Sequence, residues 1–179
     1  MSPDNQLEML GQCGIGSGAG ASARFVIADT MDLWIEIANE RLHEVLPHLD
    51  LFVLNEGEAR DLAGTTNLVK AGRILLEKGP RNVVVKLGEF GAMLFSHDGE
   101  IFRCSAFPLE AVTDPTGAGD TFVGGFIGYL AKTDDISFEN MRKAIVYGSA
   151  MASFCVEKFG TERLFEITEA DLASRVNEF

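Results

Sequence analysis

The stretch Asp114-Pro115-Thr116-Gly117-Ala118-Gly119-Asp120-Thr121 sets one carboxylate, Asp120, between glycines and the start of an apolar run. Glycine has no Cβ, so the backbone N–H groups of Gly117, Ala118 and Gly119 can turn toward one point. A helix opening there adds its unpaired N–H groups and the positive end of its dipole. The product is an anion hole, set where negative charge builds up during group transfer. A carboxylate in the first helical turn beside such a hole can take a proton from a hydroxyl, leaving an alkoxide to attack a phosphoryl group. In the plainer alternative, Asp120 complements the helix dipole and the glycines only make a turn. The length of the stretch favours catalysis.

Three other segments carry residue types of interest. Asn55-Glu56-Gly57-Glu58-Ala59 spaces Asn55 and Glu58 as a capping box would. Lys86-Leu87-Gly88-Glu89-Phe90-Gly91 is either a glycine stretch that lets the backbone approach a ligand or a strand end followed by a turn. Lys86 there faces phosphate or solvent. The run Gly148-Ser149-Ala150-Met151-Ala152-Ser153 is small enough for a flat base to lie on it, or for a helix to pack closely.

The elements that position these residues alternate in type. A short apolar strand reads over 24–29, then helical spacing over 33–49, with Pro47 ending or kinking that helix. Leu51–Asn55 reads as a strand, Glu56–Ala63 and 68–78 as helices, and 82–88 as a third strand. Residues 91–107 form two strands about the Asp98-Gly99 turn. Helices follow over 118–131 and over 138–158, the latter capped by Ser137, and Thr168 caps a last one. Strands alternating with helices predict an α/β fold, a mostly parallel sheet with helices on both faces. In such sheets ligands bind beyond the carboxyl ends of the strands, where Asn55, Gly88 and the Asp120 segment fall. Residues 1–24 read as an irregular segment, with the Gly/Ser-rich part from Gly14 to Ser22 a connector, and 25–179 as the folded domain. Gly14-x-Gly16-x-x-Ala19 fits a loose dinucleotide fingerprint but lacks the preceding strand and following helix.

Composition narrows the classes. A chain of 179 residues, 46% hydrophobic and 23% charged, suits one globular domain. Its net charge of -12 argues against nucleic acid or an anionic membrane, though backbone amides can still hold a phosphate. There is no membrane-length apolar run and no signal-peptide pattern at the start, so a cytoplasmic location is expected. Cys13, Cys104 and Cys155 are odd in number and far apart, as reduced thiols rather than disulfides or zinc ligands. His43, His48 and His97 read as surface residues, and Trp34 as packing. The P-loop pattern and the protein-kinase motifs are absent.

Taken together, Asp114–Leu130 resembles the C-terminal signature of the ribokinase-like (PfkB) carbohydrate kinases, with Pro115 where many members have Thr. The resemblance runs from about Phe25 to about Leu164 and implies a ribokinase-like fold. By that resemblance the chain is the nucleotide-side half, lacking the N-terminal part of the sheet and the lid over the sugar. It implies an ATP-dependent phosphotransferase acting on a sugar or nucleoside hydroxyl. Asp120 would be the base, and Gly117, Ala118 and Gly119 the anion hole. Asn55 and Glu58 match the family's N-x-x-E pair, which arranges Mg²⁺ through its waters and the phosphates. Lys86, Gly88, Gly91 and Ser149 fall along the nucleotide. Some members bind a monovalent cation such as K⁺ through backbone oxygens near the positions of Asp114, Thr116 and Gly160. A shortened sheet would expose an edge open to a homo-oligomer. The alternatives are a non-catalytic nucleotide-binding or assembly fragment and a vitamin-precursor kinase of the same superfamily.

Overall fold

The computed structural model describes residues 2–13, 15 and 23–179. The chain is an α/β fold that divides into two compact units, the first comprising Met1–Lys86 and Leu94–Ile101, the second Leu87–Met93 and Phe102–Phe179. Five strands, β1 (Ile27–Asp29), β2 (Leu51–Asn55), β3 (Asn82–Lys86), β4 (Ala92–Ser96) and β5 (Ile101–Cys104), form one sheet in that order.

In the first unit β1, β2 and β3 are parallel, with Asp29 opposite Val53 and Asn55 opposite Lys86. Leu51, Phe52, Val53 and Leu54, and Val83, Val84 and Val85 across from them, are each at most 1% exposed. Continuous apolar runs of this kind belong to parallel strands covered on both faces, which is why these two strands begin and end where the sequence places them. The His97 N–H donates to the Arg81 carbonyl, and β4 thus returns along β3. The Ser96 and Gly99 backbone bonds close the turn before β5. Helices α4 (Glu56–Ala63) and α5 (Leu68–Glu77) follow β2. Gly72 of α5 lies against the Phe95 ring so closely that a Cβ there would come within 2.7 Å of it.

Two expectations for this unit need correction. Residues 3–12 are not irregular: they form α1 (Pro3–Gln12), capped by Ser2 with Pro3 in its first turn. Only Pro3 and Leu10 of this helix are buried, so no apolar stripe announced it; at the surface its Asp4 pairs with Arg41 at 2.7 Å. The connector expected from Gly14 to Ser22, and the loose fingerprint inside it, lie outside the described residues apart from Ile15. Nor is 33–49 one helix. It is α2 (Asp32–Ile37), α3 (Asn39–Val45) and a 3₁₀ turn over Leu46–His48. The break is at Ala38, with φ -138° and ψ 31°. There the Asn39 side-chain amide donates to the Ile35 carbonyl, competing with helical bonding as Asn does.

The second unit is built on α6 (Ala118–Thr133) and α7 (Phe138–Cys155), with α8 (Glu169–Val176) after them. A Cβ on Gly148 would lie 2.7 Å from the Phe122 carbonyl oxygen, and one on Gly125 would lie 2.9 Å from Met151. The small-residue run of α7 therefore serves close approach to α6, with Ser149 buried. Gly91 has the same kind of reason: its φ is 97°, and a Cβ would come within 2.0 Å of the Cys104 carbonyl oxygen. Among the described residues no helix is long and apolar enough to cross a membrane.

Candidate active site

Of the sequence-predicted residues, Asp114 to Asp120 and Gly160 come together in the second unit, and Asn55, Glu58 and Lys86 gather at one sheet edge in the first. In the second unit, Gly117 is the N-cap of α6 with φ 81° and ψ -1°, a left-handed conformation that glycine adopts without strain. Asp120 is therefore the third residue of the helix and is exposed. Helices α1, α4, α5, α7 and α8 each begin with a side chain accepting a backbone N–H; α6 begins with none, as do the short α2 and α3. The Ala118 N–H donates to the Pro115 carbonyl at 3.2 Å, so it belongs to the turn. The N–H groups of Gly117, Gly119 and Asp120 have no acceptor among the described residues. Of the three amides that the sequence suggests for an anion hole, those of Gly117 and Gly119 are without an acceptor among the described residues and that of Ala118 is engaged; the Asp120 amide is also without one.

The turn before α6 is tied down from both sides of Asp114. Its carboxylate accepts the Thr116 N–H at 3.0 Å and the Gly160 N–H at 3.1 Å. These bonds, that from Thr116 foremost, hold the Asp114 carboxyl below the ordinary aspartate range, because both favour the charged form. The carbonyl oxygens of Thr116 and Gly160 each lie 3.8 Å from the buried Cys155 thiol. Asp114, Thr116 and Gly160 are thus neighbours, and their carbonyl and carboxylate oxygens are the donors a hard cation takes. Cys155 was not legible as part of this cluster, because it lies 39 residues from Thr116.

In the first unit, Asn55 and Glu58 form a complete capping box at the start of α4. The Asn55 side-chain oxygen accepts the Glu58 N–H at 2.9 Å, and the Asn55 N–H donates to the Glu58 carboxylate at 2.7 Å. Glu58 is 4% exposed. Burial pushes its carboxyl above the ordinary glutamate range and the neighbouring Asp29 charge adds to this, while the Asn55 amide and Lys86 act against it. Lys86 is largely buried and paired: its ammonium sits 2.6 Å from Asp29, with the lysine side chain 18% exposed. Asp29 ends β1 at the same sheet edge as Asn55 and Lys86, so the first unit gathers two carboxylates, one ammonium and one amide at the carboxyl ends of three parallel strands. The sequence gives one signal for Asp29, an acid closing an apolar strand. Its partner is 57 residues away, and only the register reveals the pair.

Gly88 and Gly91, in the second unit, bracket a 3₁₀ turn in which the Leu87 N–H donates to the Gly91 carbonyl at 2.7 Å. Gly88 has φ 59° with open space where a Cβ would go, whereas the space at Gly91 is filled by backbone. Among the described residues no set of three or more His, Cys, Asp or Glu could hold a metal ion by itself. A divalent ion here would need water or ligand oxygens to complete its shell, which suits Mg²⁺.

The chain belongs to the pfkB family of carbohydrate kinases, whose profile matches residues 18–167. It is 35% identical over 125 residues to the deoxyribokinase of Salmonella typhi, covering 67% of this chain and 39% of that one. Among solved structures it is similar to a nucleoside kinase of Methanocaldococcus jannaschii, with a TM-score of 0.76 at 22% identity over 99% of this chain and 54% of that one. It is also similar to the ribokinase of Arabidopsis thaliana complexed with ribose and ATP, with a TM-score of 0.69 at 28% identity over 84% of this chain and 47% of that one. The chain thus spans 39% of the length of the deoxyribokinase it matches.

Proposed function

We propose that the chain is the part of an ATP-dependent sugar or nucleoside kinase that carries the phosphoryl-transfer machinery. The observation that carries this reading is the start of α6, where Asp120 is exposed beside N–H groups that no side chain caps. Asp120 takes the proton of the acceptor hydroxyl as its oxygen bonds to the γ-phosphorus of ATP and the bond from that phosphorus to the ADP oxygen breaks, releasing ADP. The free amides of Gly117, Gly119 and Asp120 meet the negative charge on the transferred group, in a reaction governed by position and electrostatics. Gly117 and Ala118 set the turn that aims them.

Asn55 and Glu58 would hold Mg²⁺ through its waters, and the bound ion would supply charge neutralisation at the phosphates. A Glu58 carboxyl raised by burial is better ionised when a cation stands near it, so the pair fits such a role. Gly88, Gly91 and Ser149 would line the nucleotide, with Lys86 contributing through its pair with Asp29. Carbonyl oxygens near Asp114, Thr116 and Gly160 would hold K⁺.

The test is ADP release across a panel of sugars and nucleosides, with Asp120→Asn as control. Turnover lost in the variant supports the reading. The coverage of the relatives favours a second one, a nucleotide-binding or assembly piece without its own acceptor pocket. ATP binding with no turnover above Asp120→Asn would select it.

A further inference from the structure

The turn that presents Asp120 is latched onto the segment following α7. The Thr113 N–H donates to the Val156 carbonyl at 2.8 Å, and the Thr113 hydroxyl donates to the Glu157 carbonyl at 2.9 Å. The Gly160 N–H closes the latch on Asp114. Glu157 is therefore bonded to the turn through its backbone, and its carboxylate faces away toward two arginines. Arg163 reaches one oxygen at 2.9 Å, and Arg175 of α8 reaches the other at 2.7 Å.

Arg175 is the more deeply placed of the two. Its side chain is 15% exposed, its guanidinium lies 3.4 Å from the centre of the Phe154 ring and 4.7 Å from that of Phe107, and it donates to Ser153 at 3.0 Å. A helix that only covered apolar surface would need no charge at this depth. A guanidinium held there loses hydration, and its fork of bonds and its two aromatic faces offset the loss. The α8 helix lies beyond the matched family span, yet it supplies this contact.

We propose that Arg175 is a positioning residue for the Asp120 turn, acting through Glu157 on the backbone of residues 113–117. This role presupposes phosphoryl transfer at Asp120, but the wiring can be read without turnover. In Arg175→Ala and in Glu157→Gln, amide hydrogen exchange at Thr113 and Gly160 is expected to accelerate roughly tenfold, while Phe126 and Leu130 inside α6 keep wild-type protection. The kcat should fall roughly tenfold to a hundredfold with KM for the acceptor unchanged, since misplacing a catalytic group by a fraction of an ångström costs rate rather than ground-state binding. Arg175→Lys, which keeps the charge but loses the fork and the stacking, should recover part of both effects. If Arg175→Ala does not fold, Glu157→Gln, which keeps the size but turns one of the two acceptor oxygens into an NH2 donor facing an arginine, gives the same readout. Unchanged exchange at Thr113 and Gly160 in both variants, or acceleration spread evenly over α6 and α7, overturns the positioning role. A wild-type chain that phosphorylates nothing refutes the kinase reading alone, because the exchange experiment needs no substrate.

Discussion

Two helix starts in this molecule have been solved in opposite ways. At α4, Asn55 and Glu58 cap each other reciprocally, and the donors at the helix start are consumed inside the protein. At α6, a left-handed glycine takes the cap position, no side chain accepts an N–H, and three amides are left without partners among the described residues. The first arrangement stabilises a helix; the second gives up that stabilisation and leaves the positive end of the dipole available. Both starts carry an acid at the third position. Glu58 is buried and bonded back to its own cap, while Asp120 is exposed beside open donors. Acid position in the sequence does not separate the two cases. The residue at the cap does.

The largest effect that could break this contrast is on turnover. Asp120→Asn removes the base but keeps size and exposure, and kcat should drop by roughly 10²–10⁴, the range a positioned general base contributes. Urea unfolding should give the wild-type midpoint, since an exposed side chain that caps nothing adds little to stability. Loss of activity accompanied by an equal loss of stability would mean that Asp120 is structural, as Glu58 in its capping box is.

Gly117→Ala addresses the cap itself. A Cβ there would stand 3.9 Å from Cys155, so space is not the obstacle; the φ of 81° is. A non-glycine residue held in that region costs about 1–2 kcal/mol. Relief of this strain would turn the amides away, so turnover should fall more than stability does. Asn55→Ala at the other helix start removes an acceptor rather than a conformation. It should cost about 1 kcal/mol in urea unfolding, typical of a lost N-cap. If Gly117→Ala left turnover intact, the open amides of α6 would have no part in the chemistry.

Much of this was legible because the physics is local. Strands β2 and β3 are uninterrupted apolar runs bounded by polar residues, and α4 and α8 announce themselves by capping residues three apart. The Asp120 stretch is equally local. Long-range pairing was not legible. Lys86 could be read as facing phosphate or solvent, since nothing near it in sequence pointed to Asp29. The tie from Asp114 to Gly160 spans 46 residues, and the Arg175–Glu157 pair depends on how α8 returns to α7. The single helix expected over 33–49 failed for a different reason: its apolar spacing persists through Ala38, but the Asn39 side chain takes a carbonyl that the helix would need. Periodicity records which face is apolar and is blind to such a local competitor.

The smallest effects separate the two regions by the sign of their pH dependence. Glu58 is raised, so its folded form favours the proton. The stability it contributes is present in acid and is lost as pH rises above the ordinary glutamate range and through its folded value. Asp114 is lowered by the Thr116 and Gly160 amides, so its contribution is present above the ordinary aspartate range and is lost as pH falls through its folded value. Glu58→Gln should therefore flatten the decline of the urea midpoint on the alkaline side of the glutamate range, leaving the acid limb alone. Asp114→Asn should flatten the acid limb and leave the other. Midpoints measured across the two ranges check both at once. If both variants altered the same limb, the two carboxylates would share one environment. The contrast between a helix start that buries its acid and a turn that keeps its acid ionised would then have to be given up.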